Sequence, residues 1–211
     1  MVRIPSTLSL LPVVAFLLLS SACGGGGWQD IHLLSLLTPD DQCVSDPDAM
    51  TVSRGFLDVG ATNAFYQAAV LATNDADSEK ASKKNFAVEK AVLTFSADDQ
   101  ALSATLEALG EVEVPMALTL EAGQRAGIWI ELIPPWVAVV IGDSDSLSDP
   151  INRALLTVTT HLEGTTASGK ADVSSPLGFP VEVCKHCLFC PGGLEPVLWG
   201  CSPGAMPASC Q

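Results

Sequence analysis

Short apolar runs separated by turn-forming residues dominate the chain from about residue 51 onward. The runs are RGFLDVG, AFYQAAVLAT, FAVEKAVLTF, EVEVPMALTL and GIWIELI, and the segments between them are ATN, TNDADSEK, SADDQ and EAGQRAG. Apolar runs of this length, bounded by Gly, Asn, Asp and Ser, are typical of β-strands joined by turns. The pattern therefore predicts a mainly β chain.

The clearest alternation lies in RALLTVTTHLEG, residues 153–164. Its side chains fall into two sets by parity: Leu156, Val158, Thr160 and Leu162 in one, and Leu155, Thr157, Thr159, His161 and Glu163 in the other. Since successive side chains of a strand point to opposite faces, the first set predicts a buried face and the second a wet face. Regularly spaced short strands favour an antiparallel sandwich or barrel, and of these we expect an antiparallel, immunoglobulin-like β-sandwich.

Two segments depart from this strand pattern. DDQALSATLEALG, residues 98–110, has the composition of one helix. PPWVAVVIG, residues 134–142, can also begin a helix, because Pro135 is tolerated in the first turn. We therefore expect at most one or two short helices beside the strands.

The pattern of residues 1–22 predicts a secretory signal. Residues 1–22 run from a positively charged start through LSLLPVVAFLLL to the small residues SSA, directly before Cys23. The apolar run is about 12 residues long, shorter than the roughly 20 that a spanning helix needs. A cysteine at this place resembles the bacterial lipobox, although Ser20 stands where that pattern usually has Leu, Val or Ile.

The lipobox resemblance implies cleavage before Cys23, diacylglycerol on its sulfur and an acylated amino group. Two or more acyl chains hold a protein stably on a membrane. The glycines at 24–27 then form a flexible tether, and Gly24 is not the aspartate that retains some lipoproteins at the inner membrane. We therefore expect a lipid anchor in the outer membrane, facing the periplasm or the cell surface.

The charge of the chain narrows the choice of partners. It has 24 acidic and ten basic residues, with a formal net charge of −14 at pH 7. Such a polyanion is repelled by phosphate backbones, and its side chains are equally repelled by an anionic bilayer. We therefore exclude nucleic acid as a partner and expect membrane contact through the N-terminal lipid alone.

The cysteines form an even set once Cys23 carries lipid. The chain has seven cysteines, and the other six are Cys43, Cys184, Cys187, Cys190, Cys201 and Cys210. CKHCLFCPGG, residues 184–193, also permits a redox dithiol, or a zinc site with His186 among its ligands. A thioredoxin-type dithiol needs a longer fold after it, and zinc ligand pairs normally lie on separated loops. In an exported chain we therefore expect structural disulfides, including one from Cys43 to a tail cysteine, with the 15 possible pairings left open.

These observations divide the chain into four segments. Residues 1–22 are the signal peptide, and residues 23–50 are the lipidated cysteine, tether and linker. Residues 51–184 are the β-sandwich domain, and residues 185–211 are an irregular, cysteine-rich tail.

Two motifs are similar to catalytic or nucleotide-binding blocks. GTTASGKA, residues 164–171, follows the Walker A pattern except that Ala171 stands where a Mg²⁺-binding Ser or Thr is required, so a turn between strands explains it and nucleotide is excluded. VVIGDSDSLSDP, residues 139–150, resembles the nucleophile block of GDSL esterases, with Ser144 as the nucleophile. None of the three histidines has an Asp three positions earlier, as that family requires, and a serine without a general base is a weak nucleophile.

The same loop offers Asp143, Asp145 and Asp149 as hard oxygen ligands for calcium. It lacks the glycine and the terminal glutamate of an EF-hand loop. Comparable acidic density in TPDDQCVSDPD and NDADSE favours solvated loops instead. A calcium-binding β-domain therefore stays as an alternative, and we expect no resident metal or other cofactor.

The order GFLDVG, LATN, LIPP and TTHLEGTTASGKADVSSPLGFPVEVCKHCLFC resembles a group of uncharacterised bacterial lipoproteins found notably in myxobacteria. The similarity covers most of residues 43–190. It implies an anchored β-domain with closing cysteines and no activity. We therefore expect a structural or binding module of the cell envelope rather than an enzyme. Its expected partner is an envelope or extracellular protein or a glycan. The alternative is a hydrolase with Ser144 as its nucleophile.

Overall fold

The computed structural model describes residues 30–40, 42–61, 63–77, 81–149 and 152–187, together with the backbone of 196–198 and 207–210. The strands in chain order are β1 (Ile31–Leu37), β2 (Thr51–Val52), β3 (Gly55–Asp58), β4 (Tyr66–Asn74), β5 (Phe86–Ala97), β6 (Val112–Leu120), β7 (Arg125–Ile133), β8 (Arg153–Thr166), β9 (Ala171–Val173), β10 (Leu177–Cys184), β11 (Pro196–Leu198) and β12 (Pro207–Cys210). The helices are α1 (Ala81–Lys84), α2 (Gln100–Glu107), α3 (Pro135–Gly142) and a short 3-10 helix (Asp145–Leu147). The described chain is therefore mainly β, as predicted.

The strands form two main sheets. The first has the order β2-β1-β4-β7, and the second has the order β3-β10-β8-β5-β6, with β9 also paired to β8. A separate pair is made by β11 and β12. The long strand β8 lies between β10 and β5 and therefore organises the second sheet.

The pairing is antiparallel with one exception among the described strands. β3 runs parallel to β10, and Leu57 lies opposite Val183 and Asp58 opposite Cys184. This corrects the expectation of a purely antiparallel arrangement. A parallel pair needs a long crossover between its strands, and here most of the domain separates them.

One cluster of buried side chains draws on both main sheets. Tyr66 and Ile130 contribute from the first sheet, and Phe86, Val158 and Val181 from the second. The alternation predicted for residues 153–164 is confirmed, because the buried set is Leu156, Val158, Thr160 and Leu162. Burying one face of each sheet against this shared core is the main source of stability.

The predicted start of the domain at residue 51 is wrong. Ile31–Leu37 forms β1, which pairs with β4 along its length, and Ile31, Leu33 and Leu36 enter the core. The run IHLLSLL has only 7 residues, so it shows no clear alternation of apolar and polar positions, and an acidic segment follows it. The body of the domain therefore begins about twenty residues earlier than the sequence indicated.

The segment after β1 covers the outer face of the first sheet. Leu37, Ala69 and Leu71 form a second small cluster there, with Trp129 packed against it. The hydroxyl of Ser45 donates to the carbonyl oxygen of Gly127 at 3.0 Å, and a Cβ on Gly127 would lie 2.5 Å from that hydroxyl. The absence of a side chain at Gly127 thus allows the segment to lie flat on β7.

Both predicted helices are present. α2 begins after Asp99, whose side chain accepts a hydrogen bond from the amide of Leu102 and so caps the helix. α3 begins at Pro135, which needs no hydrogen-bonded amide in the first turn. The four-residue helix α1 and the 3-10 helix were not predicted.

In the part of the chain that the structure describes, no helix has both the length and the apolar character required to cross a membrane.

Candidate functional site

Helix α3 exposes apolar side chains on its outer face. Its sequence PWVAVVIG contains no charged residue, and Val137, Ala138 and Ile141 are buried in the core. Trp136 is nevertheless 52% exposed and Val139 is 61% exposed. Ordinary surface helices carry polar side chains on the face that meets water. The exposed Trp and Val on a wholly apolar helix are therefore candidates for a contact surface.

A shallow pocket of about 190 Å³ lies between α3 and the loop that joins β3 to β4. The lining residues from the loop are Val59, Ala61, Asn63 and Ala64, and those from the helix are Pro135, Trp136, Ala138 and Val139. Phe65, the next residue of the loop, is 40% exposed. Small-molecule sites usually have volumes of roughly 300–1,000 Å³, so this pocket suits a single side chain of a partner better than a cofactor.

The turn after β10 joins both walls of this pocket. The amide of His186 donates to Oδ1 of Asp58 at 2.8 Å, and Nζ of Lys185 donates to the carbonyl oxygen of Gly142, the last residue of α3, at 2.6 Å. The amide of Val59 donates to the carbonyl oxygen of Cys184 at 2.8 Å. We call α3, the loop 59–65 and the turn 185–187 together the α3 end of the domain.

Two of the predicted disulfide cysteines flank this turn, Cys184 at the end of β10 and Cys187 at the end of the turn. Cys184 and Cys187 are bonded to each other, with their Cα atoms 5.9 Å apart. Cys43 is also disulfide-bonded, and its partner is neither of these two. Cys23, Cys190 and Cys201 lie outside the described residues, as do the side chain of Cys210, the signal peptide and the lipobox.

Asp58 is the residue of this region that the sequence analysis missed. It is 3% exposed, and its Oδ1 accepts hydrogen bonds from the amides of Gly60 and His186. It lies within the run RGFLDVG, which the sequence predicts as a strand. The sequence signal that could have identified it is an aspartate inside an otherwise apolar run, because a buried aspartate requires a hydrogen-bonding or ionic partner.

The Asp58 carboxylate belongs to the one potential metal-binding group that the described side chains form. Its members are Asp58, Cys184 and Cys187, whose ligand atoms all lie within 4.8 Å of one another. Asp143, Asp145 and Asp149 are exposed and are not part of this group. Calcium binding by the loop 143–149 therefore stays a prediction without convergent ligands to support it.

Ser144 has a local structural role. Its side chain caps the 3-10 helix by accepting a hydrogen bond from the amide of Ser146 at 3.4 Å. No hydrogen bond joins Ser144 to a histidine within the described ranges. His161 lies on the wet face of β8, with its Nε2 3.4 Å from the Glu163 carboxylate. The geometry thus gives Ser144 a capping contact and shows no general base beside it.

The loop after α3 is fixed to α2 through Asp99. The hydroxyl of Ser146 donates to Oδ1 of Asp99, which also accepts from the amide of Leu102. The Ser146 hydrogen bond, followed by the Leu102 amide, lowers the pKa of Asp99 below its usual value. A lowered carboxyl pKa contributes stability that is present above the ordinary Asp pKa and is lost as the pH falls through the folded value.

The variant Ser146→Ala should therefore raise the pKa of Asp99 toward its usual range. The free energy of unfolding should then fall less as the pH drops from the ordinary Asp pKa through the pKa of Asp99 in the folded protein. Carboxyl-detected NMR titration of Asp99 measures the shift directly. Ser103→Ala is the matched control, because its hydroxyl donates to Glu107 instead. An unchanged Asp99 titration in Ser146→Ala would contradict the assignment.

The turn predicted for GTTASGKA is confirmed. Residues 164–166 end β8 and residue 171 begins β9, with the amide of Thr166 donating to the carbonyl oxygen of Lys170 at 2.8 Å. Gly169 has a φ of +80°, a backbone conformation that glycine adopts readily.

The chain has no significant match among protein-family models, curated proteins or solved structures.

Proposed function

We propose that this protein is a lipid-anchored module of the cell envelope that binds a partner protein through the α3 end of its domain. In this proposal Cys23 carries the lipid in the outer membrane, and the two main sheets pack face to face as an immunoglobulin-like β-sandwich. The chain acts by binding and not by catalysis, without nucleotide or another cofactor. The lipobox-like start supports the lipid anchor. The shared core of the two sheets supports the sandwich.

The observation that carries the proposal is the position of the apolar surface relative to the tether. Strand β4 spans the domain, and its two ends mark two opposite ends of the first sheet. Asn74, at one end of β4, pairs with Ile31, where the chain enters from the tether. Tyr66, at the other end, pairs with Ile133, directly before Pro134 and α3. Nine strand residues rise about 27 Å. Ile31, the first strand residue after the proposed tether, and the α3 end are therefore separated by about the length of β4.

This separation favours a partner away from the bilayer. A surface that served to insert into the same membrane would be expected beside the tether, where the anchor holds the chain. Trp136, Val139 and Phe65 instead lie at the far end, around a pocket of about 190 Å³. Exposed aromatic residues around a side-chain-sized pocket are typical of the anchoring centre of a protein interface.

A photocrosslinking amino acid at position 139 tests the proposal in cells. Val173 is the matched control, because it is also an exposed valine but lies on β9, where it pairs with Glu163 near the tether end. We expect a defined protein adduct from position 139 and none from position 173. The added substitution Trp136→Glu should reduce the position-139 adduct at least about 10-fold, since one buried anchor commonly supplies 2 kcal/mol or more.

Equal adducts from positions 139 and 173 would contradict binding at the α3 end. An adduct at position 139 that Trp136→Glu leaves unchanged would contradict the pocket as its centre. An adduct that forms only with lipid would contradict a protein partner and would show that this surface contacts the bilayer. The folded state of each variant is checked by its thermal melt.

A further inference from the structure

The Cys184–Cys187 disulfide lies beside the buried carboxylate of Asp58, which does not line the pocket. The parallel register of β3 and β10 places Asp58 opposite Cys184, and the turn 185–187 returns Cys187 to the same point. The carboxylate and the two sulfurs lie within 4.8 Å of one another. Residues from two distant parts of the chain therefore form one compact set of potential ligands.

Hydrogen bonds from outside the set hold the carboxylate in place. Oδ1 of Asp58 accepts from the amide of Gly60 at 2.9 Å and from the amide of His186 at 2.8 Å. Ligand carboxylates in metal sites are commonly oriented by such supporting hydrogen bonds. Asp58 is 3% exposed and Cys184 is fully buried, whereas Cys187 is partly exposed, so the set is open to solvent only on the Cys187 side.

The set has a different ligand chemistry in its two redox states. As a disulfide, the two sulfurs are neutral and are weak ligands. As thiolates, they would add two negative charges next to the Asp58 carboxylate, and burying like charges together is unfavourable. Lys185, the lysine within the turn, directs its ammonium group to the carbonyl oxygen of Gly142. The two sulfurs therefore act as thiolate ligands only when a divalent cation displaces their thiol protons and offsets the negative charge.

We propose that Asp58, Cys184 and Cys187 form a redox-gated site for one thiophilic divalent cation of the Zn²⁺ class. Two thiolates select such a cation over Ca²⁺ or Mg²⁺, and a water molecule can complete tetrahedral coordination. The site opens when an external dithiol reduces the disulfide: two electrons and two protons pass to Cys184 and Cys187, and the external dithiol becomes a disulfide. Binding of Zn²⁺ then releases the two thiol protons. This inference does not depend on the lipid anchor or on the pocket.

Differential alkylation of the purified full chain tests the site at residue level. The chain is reduced with a phosphine, the phosphine is removed, and iodoacetamide is added with or without Zn²⁺. Tryptic cleavage after Lys185 separates Cys184 from Cys187, so mass spectrometry follows each thiol by itself. We expect Zn²⁺ to slow alkylation of both thiols at least about 10-fold, with Cys43 unaffected and Ca²⁺ ineffective.

Asp58→Asn is the informative variant, because asparagine keeps an oxygen that can accept both amide hydrogen bonds but removes the charge. It should lower the protection by Zn²⁺ about 10-fold or more, whereas Asp145→Asn, at the exposed 3-10 helix, should leave it unchanged. Equal protection of Cys43, Cys184 and Cys187 in the wild type overturns the proposal, and this comparison needs no variant. Loss of the folded state on reduction, seen in the thermal melt, also overturns it, because the site requires the β3–β10 register.

Discussion

Replacing Gly164 with alanine should destabilise the fold by about 3 kcal/mol or more, because the new methyl group would overlap the main chain of the neighbouring strand. Gly164 lies in β8 opposite Val88 of β5, where the register of the pair shifts between Val88 and Lys90. A Cβ at position 164 would overlap the carbonyl oxygen of Ala87 and lie 3.0 Å from the Cα of Val88. A backbone atom cannot rotate away, so β5 would have to move.

Gly178→Ala is the matched control for this prediction. Gly178 lies in β10, opposite Thr159 of the same strand β8. A Cβ there would be 3.9 Å from its nearest neighbours, the side chains of Thr157 and Thr159. We expect a change within about 0.5 kcal/mol for this variant. The measurement is the free energy of unfolding in urea, and similar losses in the two variants would mean that the bulge at Val88–Lys90 accommodates a side chain.

The variant Cys23→Ser should move the protein almost completely from the membrane fraction to the soluble fraction. The thioether to diacylglycerol requires the cysteine sulfur, and a two- or three-chain anchor otherwise holds a protein effectively permanently. Incorporation of labelled palmitate should be lost in the same variant. Gly26→Ser, which alters the tether and keeps the acylated residue, should leave both measurements unchanged.

Two outcomes would contradict the lipid anchor. One is a Cys23→Ser protein that still sediments with membranes, and the other is palmitate labelling that survives the substitution. Release of the Gly26→Ser control would instead show that the tether itself, and not the lipid, determines the fractionation.

The sequence predicts local features of this fold well, because their causes lie within a few residues. The alternation of Leu156, Val158 and Leu162 predicted the buried face of β8, since the period of a strand depends only on backbone geometry. Pro135 predicted the start of α3, because the first turn of a helix tolerates a residue without a backbone amide hydrogen.

Features that depend on distant partners were not predictable. β1 was assigned to a linker, because its place in the sheet depends on pairing with β4 about forty residues later. The parallel pairing of β3 with β10 has no local signature, and neither does the proximity of Asp58 to Cys184 and Cys187. The apolar segment PWVAVVIG was visible, but only the fold shows that Trp136 and Val139 face outward.

The pairing of β3 with β10 also has a consequence for the order in which the chain would fold on the export route proposed above. A chain that crosses a membrane from its amino terminus delivers β1 and β4 early, and these two strands can pair as soon as they emerge. β3 emerges between them, yet its hydrogen-bonding partner is Val181–Cys184. Contacts between residues so far apart form slowly, because a long loop must close first. On that proposed route, β3 has no strand partner until nearly the whole chain has been translocated. During this interval a periplasmic chaperone would have an unpaired strand to bind.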